Sequence, residues 1–516
     1  MSDWSSGYVS ELGYTFGYYT ELNTARVKLA LLSRGLAAPK ITTACELGFG
    51  QGVSVNIHAA AGSVSEWWGT DFNPSQAAFA QELASICSNR ARLEDSTFQD
   101  FAESADLPGF DFIGLHGIWS WISDENRKVI VDFIRNKLNV GGVLYISYNT
   151  LPGWSAFAPM RHLMTEHAEV LGSQGKGIVS RIDDAIAFAD ALLSTNPLFA
   201  RANPLVAERL GKLKEQNRHY LAHEYFNRDW HPMHFATMAD WLSDAKLQFA
   251  GSAHLLDHVD SVNLTAEQQS FLRDIPDSLF RESARDFMVN QQFRRDYWVK
   301  GARSLTPLEQ AESLRNVSVI LSAYRPDVSM KVTGALGEAT LSESVYTPVL
   351  DLLADYKPRT IGDLEAYFAQ GGEGGNLTLS QITQAVLILC SVGVVALTQD
   401  ESQVAAAKVK TDKLNLHLFN KARSSNEVGY VASPVTGGGV ALGRFEQMFT
   451  ASAKHGAETP TQWAEEVWSI LATQGQRLLK DGVQIETAED NITELTAQAE
   501  VFALKKLPLL KALQIL

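Results

Sequence analysis

Thr43-Ala44-Cys45-Glu46-Leu47-Gly48-Phe49-Gly50-Gln51-Gly52 is the stretch on which the fold turns. An apolar run, Ile41 to Leu47, ends in a turn with glycines at alternate positions, and a helical pattern follows. Alternate glycines let a backbone bend sharply and approach a ligand with no Cβ in the way. The start of the helix adds free N–H groups. A second apolar run, Val64 to Thr70, ends at Asp71. A carboxylate at the end of the second strand of a βαβ unit suits the two hydroxyls of a ribose. The dinucleotide fingerprint G-x-G-x-x-G asks for a third glycine where this chain has Val53, so that fingerprint fails.

Outward from this stretch the pattern alternates. Strands are expected at 41–47, 64–71, 91–96, 110–116 and 142–149, with helices at 52–61, 74–87 and 123–138. Asn73-Pro74 supplies a cap and an N1 proline to the second helix, and Gly141-Gly142 is expected to close the third. Strands alternating with helices of this length predict an α/β fold, a doubly wound Rossmann-like parallel sheet. Ligands of such sheets bind at the carboxyl ends of the strands. Those ends hold Glu46 to Gly52, Asp71-Phe72-Asn73, Asp100-Phe101, His116-Gly117 and Tyr148-Asn149.

At 516 residues the chain exceeds one core, and two or three domains are expected. Hydrophobic content of 45% and charged content of 20% are those of a soluble globular protein. A net charge of −15 disfavours nucleic acid or an anionic membrane as the main partner. Cys45, Cys87 and Cys390 lack metal-ligand spacing and cannot build a disulfide framework. Met1 to Gly17 has no basic start and no apolar run reaches a bilayer span, so a cytoplasmic protein is expected. Trp4, Tyr8, Tyr14, Phe16, Tyr18 and Tyr19 crowd the amino terminus, as a lid or a packed arm.

The acidic residue and glycines of E-L-G-F-G-Q-G resemble motif I of class I S-adenosylmethionine-dependent methyltransferases. The blocks H-G-I-W-S-W-I (116–122), Y-N-T-L-P-G-W (148–154), Y-Y-x-E-L-N (18–23) and H-E-Y-F-N-x-D-W-H-P-M-H-F (223–235) resemble a narrower group. These are bacterial methyltransferases with a methyltransferase regulatory domain, among them the rickettsial-type lysine methyltransferases that modify outer-membrane proteins. Thr24 stands where that group usually has proline.

The resemblance implies S-adenosyl-L-methionine as cofactor, S-adenosyl-L-homocysteine as product, and no metal. It implies that Glu46 faces the sulfonium and amino group and that Asp100 and Phe101 hold adenine. Tyr18, Gly48, Phe49, Gly50, Asp71, Phe72, Asn73 and His116 complete the expected cofactor set. For a lysine acceptor, which must lose a proton before it attacks, Trp119, Trp121, Tyr148 and Trp154 are expected to wall a dry pocket. Tyr148 or His116 would orient the amine or relay its proton, with Asn149, His223 and Tyr225 as further acceptor contacts. His219 and His223 have helical zinc spacing, but Glu224 follows the second histidine instead of following the first as in H-E-x-x-H.

The expected organisation is a catalytic domain over 1–303 with a helical insertion at about 155–230. A winged-helix-like middle domain over 304–400 and a mainly helical region over 401–516 follow. Gly437-Gly438-Gly439 is read as a break, and the apolar end, Val501 to Leu516, would pack on the body or on a second subunit, as in a homodimer. The leading function is methylation of lysine side chains of a bacterial outer-membrane protein. A small-molecule or polysaccharide O-methyltransferase and a non-catalytic cofactor-binding module are the alternatives.

Overall fold

A computed structural model describes residues 15–64, 66–87, 91–173, 175–227, 229–372 and 375–516, and at residue 219 the backbone only. Trp4, Tyr8 and Tyr14 of the expected lid lie outside the described residues. The chain enters through an extended arm and helix α1 (Thr24–Ser33). Strands and helices then alternate: β1 (Thr43–Leu47), α2 (Val53–Ala61), β2 (Glu66–Thr70), α3 (Pro74–Ile86), β3 (Ala91–Glu94), α4 (Phe98–Glu103), β4 (Phe110–Leu115), α5 (Asp124–Lys137) and β5 (Leu138–Asn149).

Local chemistry sets these boundaries. Asn73 Oδ1 accepts the Ser75 N–H and Pro74 sits at N1, so α3 starts where the sequence signals it. Asp124 and Glu125 occupy the first turn of α5, and Arg135 and Lys137 the last, each matching the helix dipole. One expectation is corrected here. Gly141-Gly142 does not cap α5: β5 begins at Leu138, and the glycines make a bulge where the register against β4 shifts between Phe110 and Phe112. Gly141, at φ +82°, takes the left-handed backbone of that bulge.

Five helices follow β5 as an insert: α6 (Ala158–Val170), α7 (Ile178–Ser194), α8 (Leu198–Ala202), α9 (Leu205–Lys214) and α10 (Arg218–Tyr225). Their own core is built on Trp154, Phe157, Met160, Ile182 and Leu210. The chain returns to the sheet through α11 (Phe235–Ser243), β6 (Leu247–Ser252), α12 (Asp260–Asn263), α13 (Ala266–Arg273), α14 (Ser278–Met288) and β7 (Phe293–Lys300). The seven strands run in the order β3-β2-β1-β4-β5-β7-β6. All neighbours pair in parallel except β7, which is antiparallel to both β5 and β6. Order reverses between β1 and β4, which opens the ligand crevice at their carboxyl ends.

Beyond the sheet come α15 (Pro307–Arg315), β8 (Ser318–Leu321), β9 (Lys331–Gly334), β10 (Gly337–Thr340), α16 (Glu343–Leu352), β11 (Arg359–Thr360), α17 (Ile361–Ala369), α18 (Leu379–Ser391) and β12 (Val395–Leu397). Strands β11, β8 and β12 form a small antiparallel sheet. This region is not a separate core. One continuous apolar cluster joins Ala44, Val55, Phe112 and Tyr297 on one face of the large sheet to Leu314, Val319, Ile361 and Ile388. The other face packs Ile113, Leu144, Ile146 and Tyr148 on α5 and α11.

The carboxyl region holds α19 (Glu401–Ala422), the hairpin β13 (Tyr430–Ser433) and β14 (Gly438–Ala441), α20 (Arg444–Lys454), α21 (Pro460–Thr473), α22 (Ala488–Lys505) and α23 (Leu507–Ala512). Leu414 and Leu418 of α19 pack on Val53 and Ile57 of α2. Gly437 to Gly439 are no break. Gly437 ends the hairpin turn, Gly438 and Gly439 open β14, and a Cβ on Gly438 would meet the Tyr18 hydroxyl at 2.4 Å. The apolar end packs on the body, with Leu509, Leu510, Leu513 and Ile515 buried.

Candidate active site

The loop after β1 makes the floor of a cleft. Gly48, at φ +72°, donates its N–H to Thr70 O at 2.8 Å, and a Cβ there would lie 2.3 Å from Ile118 Cδ1. Gly52, at φ +68°, caps α2, and its Cβ would lie 2.3 Å from Ala80 Cβ, so this glycine sets α2 against α3. Asp71 closes β2. Its Oδ2 accepts the Gly50 N–H at 2.9 Å and its Oδ1 the Asn73 N–H at 3.0 Å. Each carboxylate oxygen keeps a second lone pair for a ligand hydroxyl. Burial pushes the Asp71 carboxyl up to about 6, against the two backbone hydrogen bonds.

Glu46 closes β1 and is 1% exposed. Its Oε2 has no hydrogen-bond partner among the described residues. Burial first, and the Asp71 charge second, push its carboxyl up to about 8. Buried polar atoms in folded proteins are paired as a rule, so this oxygen marks a site that lacks a positive neighbour.

The cleft is about 490 Å³, in the range of small-molecule sites. Gly48, Phe49, Gly50, Asp71 and Phe72 line it on one side, and His116, Gly117, Ile118 and Trp121 on the other. Glu46 is not on the wall, so its charge acts through the low-dielectric interior and not by a lining contact. Asn73 is spent on capping α3.

The adenine expectation is corrected. Strand β3 stops at Glu94, so Ser96, Thr97 and Phe98 reach the cleft. Asp100 lies in the first turn of α4, exposed, where Thr97 Oγ1 donates to its Oδ2 at 2.8 Å. Phe101 turns into the core against Phe133.

A second chamber, about 830 Å³, adjoins the cleft. Tyr19, His116, Gly117 and Trp121 line both. The Tyr19 ring stacks on His116 with centroids 3.6 Å apart, and Tyr145 Oη lies 2.7 Å from His116 Nδ1. Burial pulls the imidazole down to about 4, with Glu21 opposing and Arg295 adding to the fall, so the ring is neutral near pH 7. Burial alone would raise the Glu21 carboxyl, but Arg295 (2.6 Å) and Arg26 outweigh it and hold Glu21 below the usual range. Arg295 thereby pins the arm. Tyr18, half-buried, packs instead on His58 and Tyr430 and lines only the chamber. The adjacent Tyr19 takes the cleft position expected of it.

Strand periodicity corrects the acceptor set. Successive side chains of a strand point to opposite faces. On β5, Tyr145, Ser147 and Asn149 face the cleft side: Tyr145 contacts His116, Ser147 Oγ accepts the Gly117 N–H, and Asn149 lines the chamber. Tyr148 points the other way, fully buried, and donates its hydroxyl to Asp296 Oδ2 at 2.9 Å. Trp119 is also fully buried, its Nε1 3.3 Å from Met233 Sδ, and lines neither cavity. Trp121 and Trp154 do line the chamber, as does Tyr225, while His223 is buried off its wall.

Among the chamber residues outside the sequence expectations are Arg209 and Glu224. The Arg209 guanidinium sits 3.7 Å over Trp154. The Glu224 carboxyl lines the wall from α10, and burial pushes it up to about 7. Among the described residues no group of three or more His, Cys, Asp or Glu converges as a metal site. No helix among them is long and apolar enough to cross a membrane.

Sheet order, glycine loop and Asp71 together define the class I methyltransferase fold. Residues 217–300 match the family model of the predicted methyltransferase regulatory domain. Protein sll1526 of Synechocystis sp. is 39% identical over 99% of both chains. The chain belongs to that family and joins the methyltransferase fold to the regulatory domain. Protein RP028 of Rickettsia prowazekii is 32% identical over 30% of this chain and 64% of its own. The structure of PKMT2 from Rickettsia typhi in complex with AdoHcy aligns with a TM-score of 0.68 and 15% identity, covering 95% of this chain and 99% of that one.

Proposed function

We propose that this protein is an S-adenosylmethionine-dependent methyltransferase that modifies lysine side chains of a bacterial protein, an outer-membrane protein being the leading acceptor. The carrying observation is the junction of the two cavities at Tyr19, His116 and Trp121. A cleft lined by the Asp71 carboxylate there meets a chamber with an aromatic and acidic wall. When bound, the cofactor supplies a methyl group on a positively charged sulfur. Asp71 would hold the ribose hydroxyls, the bare amides of Gly48 to Gly52 the amino-acid portion, and Ser96 and Phe98 the adenine. The buried Glu46 carboxyl favours a cation nearby.

Methyl transfer asks for an in-line nucleophile in a water-poor space. Tyr19 and Trp121 wall that space, and neutral His116 adds no charge to repel a cationic donor. The regulatory segment supplies α10 and β7 to the chamber, which gives its name a physical content here. The similarity to rickettsial PKMT2 supports a protein acceptor, as do the sequence blocks that resemble lysine methyltransferases. The test is incubation of the protein with methyl-labelled S-adenosylmethionine and bacterial envelope extract, followed by mass mapping. Methyl-lysine in protein is the expected result. Label confined to glycan or to small-molecule hydroxyls would replace this reading with the O-methyl one.

A further inference from the structure

Glu224 stands out in the acceptor chamber. It lies on α10, one turn after Tyr220, and both line the wall. Its carboxyl makes no hydrogen bond or ion pair among the described residues, whereas most charges near it are matched. Glu208 and Lys212 pair with each other at 2.7 Å. Arg209 is stacked on Trp154, with its Nη2 3.5 Å from the Tyr225 hydroxyl. Across the chamber His116 is neutral. Tyr220 and Tyr225 face Glu224 on its own helix, and its charge pushes both phenols further up after burial has raised them. A desolvated carboxyl with no ion-pair partner is costly unless a ligand brings a cation to it.

We propose that Glu224 selects a cationic primary amine as acceptor and takes its proton. This rests on the methyltransferase reading above and adds the residue that decides acceptor class. The carboxylate Oε accepts one N–H proton of the incoming ammonium. The freed nitrogen lone pair then forms the N–C bond to the donor methyl as the C–S bond breaks and its electron pair stays on sulfur. The positive charge passes from sulfur to the methylated nitrogen, and Glu224 later returns its proton to water. An anionic acceptor is repelled by the same carboxylate. A neutral hydroxyl gains nothing from ion pairing and has a proton that a group titrating near 7 removes poorly.

The test uses full-length protein and the envelope fraction that the wild type labels. Rates are measured from pH 6 to 9 at saturating donor, which removes any pH dependence of donor binding. The wild-type rate is expected to rise through an inflection near 7, while the solution amine remains protonated. Glu224→Gln should lower the rate at pH 7 at least tenfold and lose the inflection. S-adenosylhomocysteine affinity should stay within threefold. Glu224→Asp should recover part of the rate and keep the inflection, and it decides the matter if the glutamine variant folds poorly. Lysine labelling by Glu224→Gln at the wild-type rate and profile overturns this inference alone. Wild-type label on hydroxyls or carboxylates with none on amines overturns the lysine reading and this inference together.

Discussion

Asp71 and Glu46 give the sharpest predictions at the scale of single residues. Asp71→Ala should weaken donor binding by about 1.5–3 kcal/mol, roughly ten- to a hundredfold, because charged hydrogen bonds to the ribose are lost. Calorimetry with S-adenosylhomocysteine checks it, and equal affinity would remove Asp71 from the ribose. Glu46 predicts a pH dependence. Its folded-state carboxyl is raised to about 8, so near neutral pH the free protein holds it mostly protonated. A bound cation favours the ionised form and lowers that value. Binding therefore releases a proton, and affinity should rise with pH up to about 8 and then level, by at most roughly tenfold per unit. Asp71, raised to about 6, adds a smaller rise below pH 6. Glu46→Gln should flatten the slope between 6 and 8; a slope that survives would assign it elsewhere. For folding the sign is the reverse. A carboxyl raised from 4.5 to about 8 contributes stability below its unfolded value that is lost as pH rises toward 8. The glycine loop and Asp71 were legible because spacing and residue type carry them. Glu224 was not, because a lone acid on a helix has no sequence signal until the fold encloses it.

At the scale of elements, β5 separates what sequence pattern resolves from what it does not. Its existence as a strand was legible from its apolar run, but which of its residues face the cleft depends on a register that the Gly141 bulge shifts. Tyr148 and Asn149 both lie at the strand end, yet only Asn149 opens on the chamber. The same uncertainty of facing in an extended arm hid Tyr19 behind Tyr18, and the early stop of β3 puts Phe98, and not Asp100, on the cleft wall. Trp119 and Trp121 make the matching comparison. Trp119→Ala removes a fully buried indole and should cost about 3–5 kcal/mol of stability, read from denaturant unfolding. Trp121→Ala changes a wall shared by both cavities and should lower transfer with a smaller loss of stability. The reverse ranking would place the acceptor against the core around Trp119 and not in the chamber.

At the scale of the whole molecule, the apolar cluster crosses the boundary expected near residue 303. Val27, Leu29 and Leu32 of α1 share that cluster with Leu314, Val319 and Ile388. Arg26 reaches across as well, its Nε donating to Ala253 O and its Nη1 to Cys390 O. On the cofactor side, α19 covers α2, the helix that starts at Gly52, and Lys410 Nζ donates to Ala59 O at 3.2 Å. Gln399 Nε2 donates to Ala61 O at 2.7 Å, closing the end of the same helix. Removing residues 304–516 would expose both surfaces at once. Each large buried side chain brought to water costs about 1.5–3 kcal/mol, so a few suffice to exceed the 5–15 kcal/mol that holds a domain together. A fragment of residues 1–303 is therefore expected to lack a cooperative thermal transition and to bind S-adenosylhomocysteine far more weakly than the full chain. In the full chain, Leu414→Ala leaves every cleft residue in place but loosens α19 on α2. It should destabilise the protein by about 2–5 kcal/mol, as read by denaturant unfolding. Donor affinity should fall less, since α2 still carries the glycine loop. A soluble 1–303 fragment that unfolds cooperatively and binds the ligand as the full chain does would show that the carboxyl half only docks on a self-sufficient catalytic domain.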